Sequence, residues 1–384
     1  MIKYYVVKIF RMLTIFLRIF PVKKNRILFY SFSGKDYSDS PKYISEYIDE
    51  KGDNYQIVWA VNEPEKFSYL RNKGYKIIKY NSITHLYYGL TAQYIVTNTG
   101  PYKALLYRKD QKIINTWHGG GAYKKTGIDN PYKDKYKKLY NEKFGQAGVT
   151  LFLSSSKAFT EYVIRGAFGY KGRIAEVGLP RNDILLENIK HMEITRKVKD
   201  NLGIEQCAKF VLYAPTWRNY EIGSYEKIDV ELVINACKQK FGGEWILVYR
   251  GHNLSNGINN KSDYKKSVNA TAYPDMQELM IASDILISDY SSCIWDYSLM
   301  SKPCFLFTPD LKKYDQTFAF YEPITKWGFD VCETNLILKT AIINFNYDKY
   351  TNRIIDNHNY FASTETGCAR KYVYEYITAN EVQT

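Results

Sequence analysis

Residues 285–310 constrain the fold more than any other stretch, because strand, turn, helix and strand patterns follow one another within a short length. An apolar run ends in the polar sequence Ser-Asp-Tyr-Ser-Ser at 288–292, and a helical pattern then continues to about residue 300. Pro303 ends that pattern, and a second apolar run occupies 304–307. Serines that open a helix either cap its free N–H groups or combine with them to bind a phosphate. The residues alone leave both possibilities open.

The same alternation of apolar strands and helices extends along the chain. We predict strands at 27–30, 56–61, 75–78, 94–97, 112–116, 151–154 and 173–177, and a second series at 210–213, 245–249, 284–287 and 304–307. A charged helical stretch at about 182–202 joins the two series. Helices between strands indicate parallel sheets. The predicted fold is therefore α/β, with two doubly wound Rossmann-like domains facing across a cleft and ligands at the carboxyl ends of the strands.

The length and composition agree with two globular domains. A chain of 384 residues is too long for one ordinary hydrophobic core, and its 45% hydrophobic content is ample for burial. We expect an amphipathic helix at 1–21, a first domain at 22–200, a second domain at 201–365 and a terminal helix at 366–384. The six cysteines show no metal-ligand spacing and mostly lie in apolar surroundings, which indicates reduced thiols and a cytoplasmic compartment.

The formal net charge of +13 indicates an anionic partner, such as a phosphate polymer, a membrane surface or a nucleic acid. One basic cluster follows a glycine run, at Lys124, Lys125, Lys133, Lys135, Lys137, Lys138 and Lys143. A second lies within residues 1–26, which contain no acidic residue. No apolar run in that segment is long enough to span a bilayer, and the recurring charges argue against a signal peptide.

Residues 1–20 form an amphipathic pattern on a helical wheel. Lys3, Lys8, Arg11 and Arg18 share one face, and apolar residues occupy much of the remainder. A wide apolar surface with a narrow basic stripe is typical of a helix lying in the plane of a membrane interface. A helix packed on this protein or on a second copy is the alternative. The basic composition favours an anionic membrane surface and a peripheral location at its cytoplasmic face.

Two of the five histidines directly follow predicted strands. His118 precedes a run of three glycines at 119–121, and His252 follows Arg250 in the sequence Arg-Gly-His. Glycines let backbone N–H groups approach a ligand without a Cβ atom in the way. A lone histidine is more often structural than catalytic. Two histidines at strand ends, with a glycine run and an arginine beside them, favour a functional site.

Several short motifs occur in order between about residues 110 and 310. They are Trp-His-Gly with a later lysine (Trp117, His118, Gly119, Lys124), Gly-Leu-Pro-Arg-Asn-Asp at 178–183, Tyr-Ala-Pro-Thr-Trp-Arg at 213–218, Arg-Gly-His at 250–252, and Asp-Tyr-Ser-Ser at 289–292 with Asp296, Lys302 and Pro303. Together they resemble the signature of the CDP-glycerol glycerophosphotransferase family, which builds polyol-phosphate chains of teichoic acids and some capsules. Two departures are visible. Gly120-Gly121 replaces the family's Thr-Pro, and the family's late arginine is absent from 317–321.

The resemblance implies a GT-B architecture in which a terminal helix returns to the first domain, and 367–377 is the candidate for that helix. It also implies transfer of glycerol phosphate from CDP-glycerol to a hydroxyl of a lipid-linked saccharide or polyol-phosphate acceptor, with release of CMP. Transfer of ribitol phosphate from CDP-ribitol is the alternative on the same scaffold. A non-catalytic polyanion or nucleic-acid binding protein is the alternative of another class, against which no RNP, KH or helix-turn-helix pattern is seen.

The expected site residues follow from the resemblance and from the chemistry of phosphoryl transfer, in which positioning and charge stabilisation dominate. His118 is the expected general base, and His252 and Arg250 complete the catalytic set. The donor site is expected to comprise Trp117, Gly119, Gly120, Gly121, Arg181, Thr216, Trp217, Ser291, Ser292 and Asp296. Lys124 and Lys125 are expected to contact the acceptor polyanion. No metal-binding signature is visible, so we expect neither a metal nor another cofactor.

Overall fold

The computed structural model describes residues 2–131, 138, 141–142, 144–216, 218, 225–251 and 267–379, with the side chains of 2–4, 13 and 17 excepted. These residues form two compact units. The first unit consists of Met1–Gly119, Thr126–Asp183 and Thr364–Thr384, and the second consists of Gly120–Lys125 and Ile184–Ser363. The chain therefore leaves the first unit at residue 183 rather than near residue 200, and a short earlier segment belongs to the second unit.

The first unit is built on a seven-stranded sheet with the strand order β3-β2-β1-β4-β5-β6-β7, and every pairing is parallel. Its strands are β1 (Lys23–Tyr30), β2 (Gln56–Val61), β3 (Lys76–Lys79), β4 (Ala92–Thr97), β5 (Lys112–Asn115), β6 (Leu151–Ser154) and β7 (Arg173–Glu176). In β1, Ile27 and Phe29 belong to one core cluster while Leu28 and Tyr30 belong to another. Both faces of the sheet are thus buried, as in parallel sheets that helices cover on both sides.

Most helices of the first unit lie between these strands, as the alternating pattern predicts, and the N-terminal ones precede β1. They are α1 (Ile2–Leu13), α2 (Asp39–Lys51) and α3 (Ile83–Thr91), with a π-helix at Phe159–Ala167 and 3₁₀ segments at Thr14–Ile19, Phe32–Gly34 and Pro64–Lys73. Helix α2 ends at Gly52, whose φ of 74° is a left-handed conformation that glycine adopts without strain. Helix α3 begins at Ser82, whose side chain accepts a hydrogen bond from the N–H group of His85 at 3.2 Å.

The second unit is built on a six-stranded parallel sheet with the strand order β10-β9-β8-β11-β12-β13. Its strands are β8 (Lys209–Tyr213), β9 (Trp245–Tyr249), β10 (Ser267–Asn269), β11 (Ile285–Ser288), β12 (Cys304–Phe307) and β13 (Asp330–Cys332). The two edge strands, β10 and β13, have three residues each and were not predicted. Neither contains an apolar run, because an edge strand needs fewer buried side chains than a central one.

The predicted helix at about 182–202 consists of two helices. They are α4 (Asp183–Leu186) and α5 (His191–Leu202), with a 3₁₀ turn at Asn188–Lys190 between them. Glu187, with φ of −91° and ψ of 79°, interrupts the helical backbone. The other helices of the second unit are α6 (Val230–Phe241), α7 (Met276–Ala282), α8 (Cys293–Ser298), α9 (Leu311–Phe318), α10 (Asn335–Ile343) and α11 (Tyr347–Tyr360), with a 3₁₀ turn at Ile324–Lys326.

Helix α12 (Ala369–Ala379) belongs to the core of the first unit. Val373 and Ile377 are fully buried in the same cluster as Ile44 of α2. The Tyr94 hydroxyl donates to the carbonyl of Ile377 at 2.8 Å. The Asp183 carboxylate accepts from the first N–H groups of α12 at 2.7 and 3.1 Å, so it caps the helix where the chain returns to the first unit.

The N-terminal segment, α1 and the following 3₁₀ helix, lies on the first unit with its arginines turned inward. Arg18 donates to the carbonyl of Leu106 at 3.1 Å, and the Arg11 guanidinium lies 5.3 Å from the centre of the Phe144 ring. The basic stripe that the helical wheel predicted is therefore only partly available to a membrane. Two of its members contact the protein, because main-chain carbonyls and an aromatic face offer partners for a guanidinium.

Apolar side chains of the same segment face outward. Those exposed are Tyr5, Val6, Ile9, Phe10, Met12, Ile15, Phe16, Ile19 and Phe20. Phe16 and Ile19 expose 75% and 79% of their surface, values far above those of a packed helix. Among the described residues, none of the helices has both the length and the hydropathy that crossing a bilayer requires.

Candidate active site

His118 lies at the carboxyl edge of the first unit's sheet, shortly after β5. Its Nδ1 atom is 2.7 Å from the backbone oxygen of Asn98, the residue that directly follows β4. A carbonyl oxygen only accepts hydrogen bonds, so Nδ1 carries a proton and Nε2 is the basic nitrogen of the neutral ring. In this tautomer Nε2 is the nitrogen that can take up a proton, as a general base must.

Neighbouring residues fix the loop that carries His118. Trp117 has a φ of 53°, which is uncommon for a bulky residue, and its N–H group donates to Oδ1 of Asn115 at 2.9 Å. Oδ1 of Asn98 accepts from the N–H group of Phe32 at 2.8 Å, and the Phe32 ring centre lies 5.6 Å from that of His118. Asn98 thus positions both rings, a role that the sequence analysis missed. An asparagine directly after an apolar strand run is the signal that could have indicated it.

Gly120 and Gly121 pack against aromatic side chains. A Cβ atom on Gly120 would lie 2.3 Å from Cδ1 of Trp295. Gly121 has a φ of 70°, and a Cβ atom there would lie 2.6 Å from Cε2 of Tyr123. Trp295 is fully buried, so its ring cannot move aside easily. The two glycines that replace the family's Thr-Pro therefore have a steric reason, whereas Gly119 is the last residue of the first unit before this segment.

Lys124 and Lys125 lie in a short segment that pairs with residues 319–321 of the second unit. The N–H group of Lys125 donates to the carbonyl of Ala319, and the N–H group of Tyr321 donates to the carbonyl of Tyr123, both at 3.0 Å. Lys124 itself forms an antiparallel bridge with the residue between them. Main-chain hydrogen bonds therefore hold both lysines in the second unit, although they lie in the first half of the sequence.

The Lys124 ammonium is placed among the polar side chains of the second unit rather than on an open basic surface. Its Nζ atom lies 3.4 Å from the hydroxyl of Tyr314. Burial lowers the pKa of Lys124, and the nearby Asp289 acts in the opposite direction. This location differs from the expected one, in which Lys124 contacts an acceptor polyanion as part of a solvent-exposed basic cluster.

A buried ionic network joins three strand ends of the second unit. Arg218 contacts Asp289 at 2.6 Å and Asp310 at 2.8 Å, and all three side chains are almost fully buried. Burial lowers the pKa of Arg218, but the two carboxylates outweigh burial and raise it above its usual range. The N–H group of Thr216 donates to Asp289 at 2.9 Å, and the Tyr290 hydroxyl donates to Asp310 at 3.0 Å. Arg218 lies in the motif at 213–218, but nothing in the sequence indicates this role.

The same network accounts for Thr216, which was expected to donate to the diphosphate. Its hydroxyl donates to Oδ1 of Asp289 at 2.5 Å, so the hydroxyl proton is already directed at a carboxylate. A threonine hydroxyl has one proton to donate. In this structure Thr216 therefore fixes the loop after β8, and its oxygen remains an acceptor.

Ser291 and Ser292 lie between β11 and α8 and are half-buried. Ser291 accepts a long hydrogen bond, 3.4 Å, from the N–H group of Cys293, and Ser292 makes no side-chain capping bond. Helix α8 has only six residues instead of extending to about residue 300, so its dipole is weaker than the sequence suggested. Asp296, expected in the donor site, is buried and accepts a hydrogen bond from Nε2 of Gln277 at 3.3 Å.

The two predicted phosphate-binding arginines have different environments. Arg181 is 2% exposed and pairs with Asp39 at 3.0 Å inside the first unit. That burial and pairing do not fit the expected role of binding an incoming phosphate. Arg250 directly follows β9, is half-buried, and donates through its N–H group to the carbonyl of Tyr213 at 2.9 Å.

Several predicted residues meet at the carboxyl edge of the second sheet, where β9, β8 and β11 are neighbours. Thr216 follows β8, Arg250 follows β9, and Ser291 and Ser292 follow β11. His252 and Trp217 lie outside the described residues, so their predicted roles stay predictions. Carboxyl edges of parallel sheets are the usual ligand sites of doubly wound folds.

Two doubly wound parallel sheets with polar and cationic groups at their carboxyl edges place the chain in the class of Rossmann-like α/β proteins. Residues 11–379 match the family described as CDP-glycerol:poly(glycerophosphate) glycerophosphotransferase, and the chain belongs to this family. The predicted family, the α/β fold class of two doubly wound sheets and the glycerophosphotransferase activity are thereby confirmed.

Individual relatives support the same family. The chain is 30% identical to the teichoic acid poly(glycerol phosphate) polymerase of Bacillus spizizenii over 96% of each sequence. It is 32% identical to the protein of the same name from Staphylococcus epidermidis, over 77% of this chain and 42% of that relative. The teichoic acid ribitol-phosphate polymerase TarL of Staphylococcus aureus is 29% identical over 56% of this chain.

Solved structures match over the whole chain. The wall teichoic acid polymerase TagF superposes with a TM-score of 0.82 at 27% identity, covering 100% of this chain and 99% of that one. A TagF structure soaked with CDPG matches with a TM-score of 0.81, also covering 100% and 99%. The UDP-GlcNAc 2-epimerase of Neisseria meningitidis shares the fold alone, with a TM-score of 0.52 at 11% identity over 92% of this chain and 100% of that one.

Proposed function

We propose that the chain transfers glycerol phosphate from CDP-glycerol to a hydroxyl of a membrane-linked teichoic acid acceptor, with His118 as the general base. The hydroxyl oxygen attacks the β-phosphorus, the bond between that phosphorus and the CMP oxygen breaks, and the hydroxyl proton passes to Nε2 of His118. The observation that carries the proposal is the 2.7 Å contact between Nδ1 of His118 and the Asn98 carbonyl, because it makes Nε2 the basic nitrogen.

Glycerol is proposed rather than ribitol because glycerol-phosphate relatives match more of the chain at higher identity. The Bacillus spizizenii poly(glycerol phosphate) polymerase is 30% identical over 96% of the chain. The teichoic acid poly(ribitol-phosphate) polymerase of the same species is 22% identical over 79%. CDP-ribitol is therefore the second candidate donor, on the same scaffold and with the same chemistry.

The donor diphosphate is proposed to bind at the carboxyl edge of the second unit's sheet. Arg250 and Lys124 supply positive charge there, and the hydroxyls of Ser291 and Ser292 supply hydrogen-bond donors. In the described part of the chain, no group of three His, Cys, Asp or Glu side chains is placed to hold a metal ion. That these cations alone balance the charge of the diphosphate stays a prediction.

The test is release of CMP by the purified protein with CDP-glycerol or CDP-ribitol, each supplied with lipid acceptor. We expect His118→Gln to lower turnover by at least ~10²-fold, as for loss of a general base. His191→Gln is the matched control, because His191 is half-buried and its Nε2 also lies near a carbonyl, that of Ile184 at 2.9 Å. Near-normal turnover of His118→Gln would remove this residue from the mechanism, and preferential use of CDP-ribitol would make the donor assignment wrong.

We also propose that the exposed apolar side chains of the N-terminal segment lie in the membrane interface at its cytoplasmic face. Their outward orientation supports the proposal, since burying each large side chain contributes roughly 1.5–3 kcal/mol. Lys8, Lys23 and Lys24 are exposed beside them and can contact anionic headgroups. The inward position of Arg11 and Arg18 means that apolar burial, more than charge, holds the segment on the bilayer.

Sedimentation with anionic liposomes tests this arrangement. Replacing Phe16 and Ile19 by serine should release the protein at both low and high salt, because apolar burial is not screened. Replacing Lys8, Lys23 and Lys24 by glutamine should weaken binding mainly at low salt. Activity on a soluble acceptor analogue should stay normal in both variants. A serine variant that still sediments at high salt would place the anchor elsewhere.

A further inference from the structure

A cavity of about 110 Å³ opens in the first unit beside the residue that precedes the proposed base. Thr99, which lies just after β4, and Trp117, which lies just after β5, both line it. The two strands pair in parallel, so the cavity is at the carboxyl edge of the sheet, where doubly wound folds bind ligands. The Trp117 ring centre is 4.3 Å from that of His118, so a ligand in this cavity lies next to the base.

The walls of the cavity combine aromatic faces with neutral polar groups. Trp117 and Phe168 contact each other at a ring-centre distance of 4.5 Å and both line the space. Thr99, Asn141 and Gln146 contribute a hydroxyl and two carboxamides. Aromatic faces that bind C–H groups, next to carboxamides and hydroxyls that bind O–H groups, fit a ligand rich in hydroxyls.

Among the lining residues that the structure describes, the charges balance. Lys103 and Glu142 line it, one cation and one carboxylate. Nζ of Lys103 donates to Oδ1 of Asn141 at 3.1 Å, so part of its hydrogen-bonding capacity is used within the wall. A site for a phosphate group carries excess positive charge, as the proposed donor site does. The balance therefore favours an uncharged, hydroxylated unit over a phosphate.

One buried atom in the wall lacks a partner. Within the described residues, Oγ1 of Thr99 is buried and makes no hydrogen bond. A buried hydroxyl without a partner costs free energy, which a ligand hydroxyl could recover. Gln146 is held in place by a hydrogen bond from Nδ2 of Asn115 to its Oε1 at 2.8 Å. Of the polar residues in the wall, Gln146 is thus held in place, and Thr99 has a hydroxyl without a hydrogen-bond partner.

The wall beside Phe168 is formed by two backbone segments in close contact. Gly127 has a φ of 53°, and a Cβ atom there would lie 2.0 Å from the carbonyl oxygen of Ala167. The N–H group of Ile128 donates to the same carbonyl at 3.0 Å. Only glycine permits this approach, so the cavity has a preformed wall.

We propose that this cavity is an acceptor subsite, which holds the hydroxylated unit next to the attacking hydroxyl while that hydroxyl is at His118. The inference rests on the proposed function, because it takes His118 as the base and the acceptor as the group beside it. The chemistry recognised is that of a sugar or a polyol. Two groups carry such hydroxyls, the saccharide of a lipid-linked acceptor and the glycerol of a growing chain. The binding experiment distinguishes between these two groups.

Binding without catalysis tests the subsite. We would titrate the protein by calorimetry with two soluble acceptor analogues, one ending in a sugar and one in glycerol phosphate, each lacking the attacking hydroxyl. Thr99→Val keeps the shape of the side chain and removes the hydroxyl. It should weaken one analogue by about 10-fold, the loss expected for one hydrogen bond in a buried site. The analogue affected identifies the source of the hydroxylated unit.

Two controls make the outcome decisive. Thr84→Val is the same substitution at an exposed threonine of the first unit and should bind both analogues normally. Phe168→Ala removes an aromatic wall and should weaken the same analogue as Thr99→Val. CDP-glycerol binding and the thermal midpoint should be unchanged in Thr99→Val. Normal binding of both analogues to Thr99→Val, absence of binding to the wild-type protein, or a parallel loss of donor binding would overturn the proposal. CMP release by the wild-type protein is measured separately, so a failed subsite is distinct from a failed function.

Discussion

The strand-end site of the first unit and that of the second unit are held by different forces. In the first, neutral groups do the positioning: a main-chain carbonyl fixes His118 and a carboxamide fixes Trp117. In the second, a buried guanidinium joins two carboxylates, Asp289 and Asp310, at 2.6 and 2.8 Å. Both sites lie at the carboxyl edge of a parallel sheet, so the contrast is one of chemistry rather than of fold.

The contrast agrees with what each site has to do. A base must stay neutral before the reaction, and a nearby carboxylate would stabilise the protonated imidazole. A carbonyl orients His118 without that charge effect. A site for a diphosphate must not present unpaired carboxylates to an anion. Arg218 neutralises part of the charge of Asp289 and Asp310, and Lys124 and Arg250 are the cations proposed to act on the ligand.

Removal of Arg218 should have the largest effect. Arg218→Met leaves two buried carboxylates without their cation, and breaking a buried pair costs roughly 3–5 kcal/mol of unfolding free energy. The matched control is Arg353→Met, whose bidentate pair with Asp330 is 41% and 32% exposed and is worth about 1 kcal/mol or less. Urea unfolding of both variants measures the difference. Equal losses would mean that the buried network is no more important than a surface pair.

Substitution at Gly120 should have an intermediate effect. The Cβ atom of Gly120→Ala would lie 2.3 Å from the Trp295 ring, and overpacking of a buried site costs roughly 1–3 kcal/mol. The double variant with Trp295→Leu should lose less than the sum of the two single losses, because the smaller side chain frees the space. Thermal unfolding of the four proteins gives the coupling. Strict additivity would show that the two residues do not restrict each other.

Lys124→Met should have the smallest of these effects, and it tests whether Lys124 acts on the donor or on the acceptor. We expect the KM for CDP-glycerol to rise about 10-fold, as for a lost charge-assisted hydrogen bond, with the KM for the acceptor unchanged. Lys312→Met, at an exposed lysine of α9, is the control and should leave both values normal. A rise in the acceptor KM instead would restore the expected acceptor role of Lys124.

The lowered pKa of Lys124 adds a pH dependence to that comparison. The ammonium loses its proton, and with it the charge, at a lower pH than an ordinary lysine. Donor affinity of the wild-type protein should therefore fall as the pH rises through this pKa, and donor affinity of Lys124→Met should not follow the same curve. Calorimetric titration with CDP-glycerol across alkaline pH measures both.

The central strands of both sheets could be predicted from the sequence, and the two edge strands of the second sheet could not. Buried runs such as 56–61 and 304–307 become β2 and β12 with the predicted bounds, because a strand covered on both faces must be apolar throughout. The edge strands β10 and β13, Ser-Val-Asn and Asp-Val-Cys, each bury too few side chains to produce such a run. Their pairing depends on a neighbour already being in place.

Parts of the candidate site depend on contacts between distant positions, which sequence patterns do not encode. Arg181 occurs in a motif that suggests phosphate binding, yet its partner Asp39 lies 142 positions away. Lys124 follows a histidine of the first unit, yet its segment pairs with Ala319 and Tyr321. The position of His118 at the sheet edge was predictable, because following a strand is a local property of the sequence.

The path of the chain also determines the order in which the protein can fold. Helix α12 supplies Val373 and Ile377 to a core that begins with β1. The apolar face of α2 therefore lacks part of its packing until α12 has been synthesised. Ile44 and Ile48 belong to that cluster, so their burial on the nascent chain is incomplete until α12 is present. Such long-range closure slows folding, and exposed apolar surface attracts chaperones or neighbouring chains. On the ribosome, the strands within residues 184–363 can pair before α12 completes the core of the first unit.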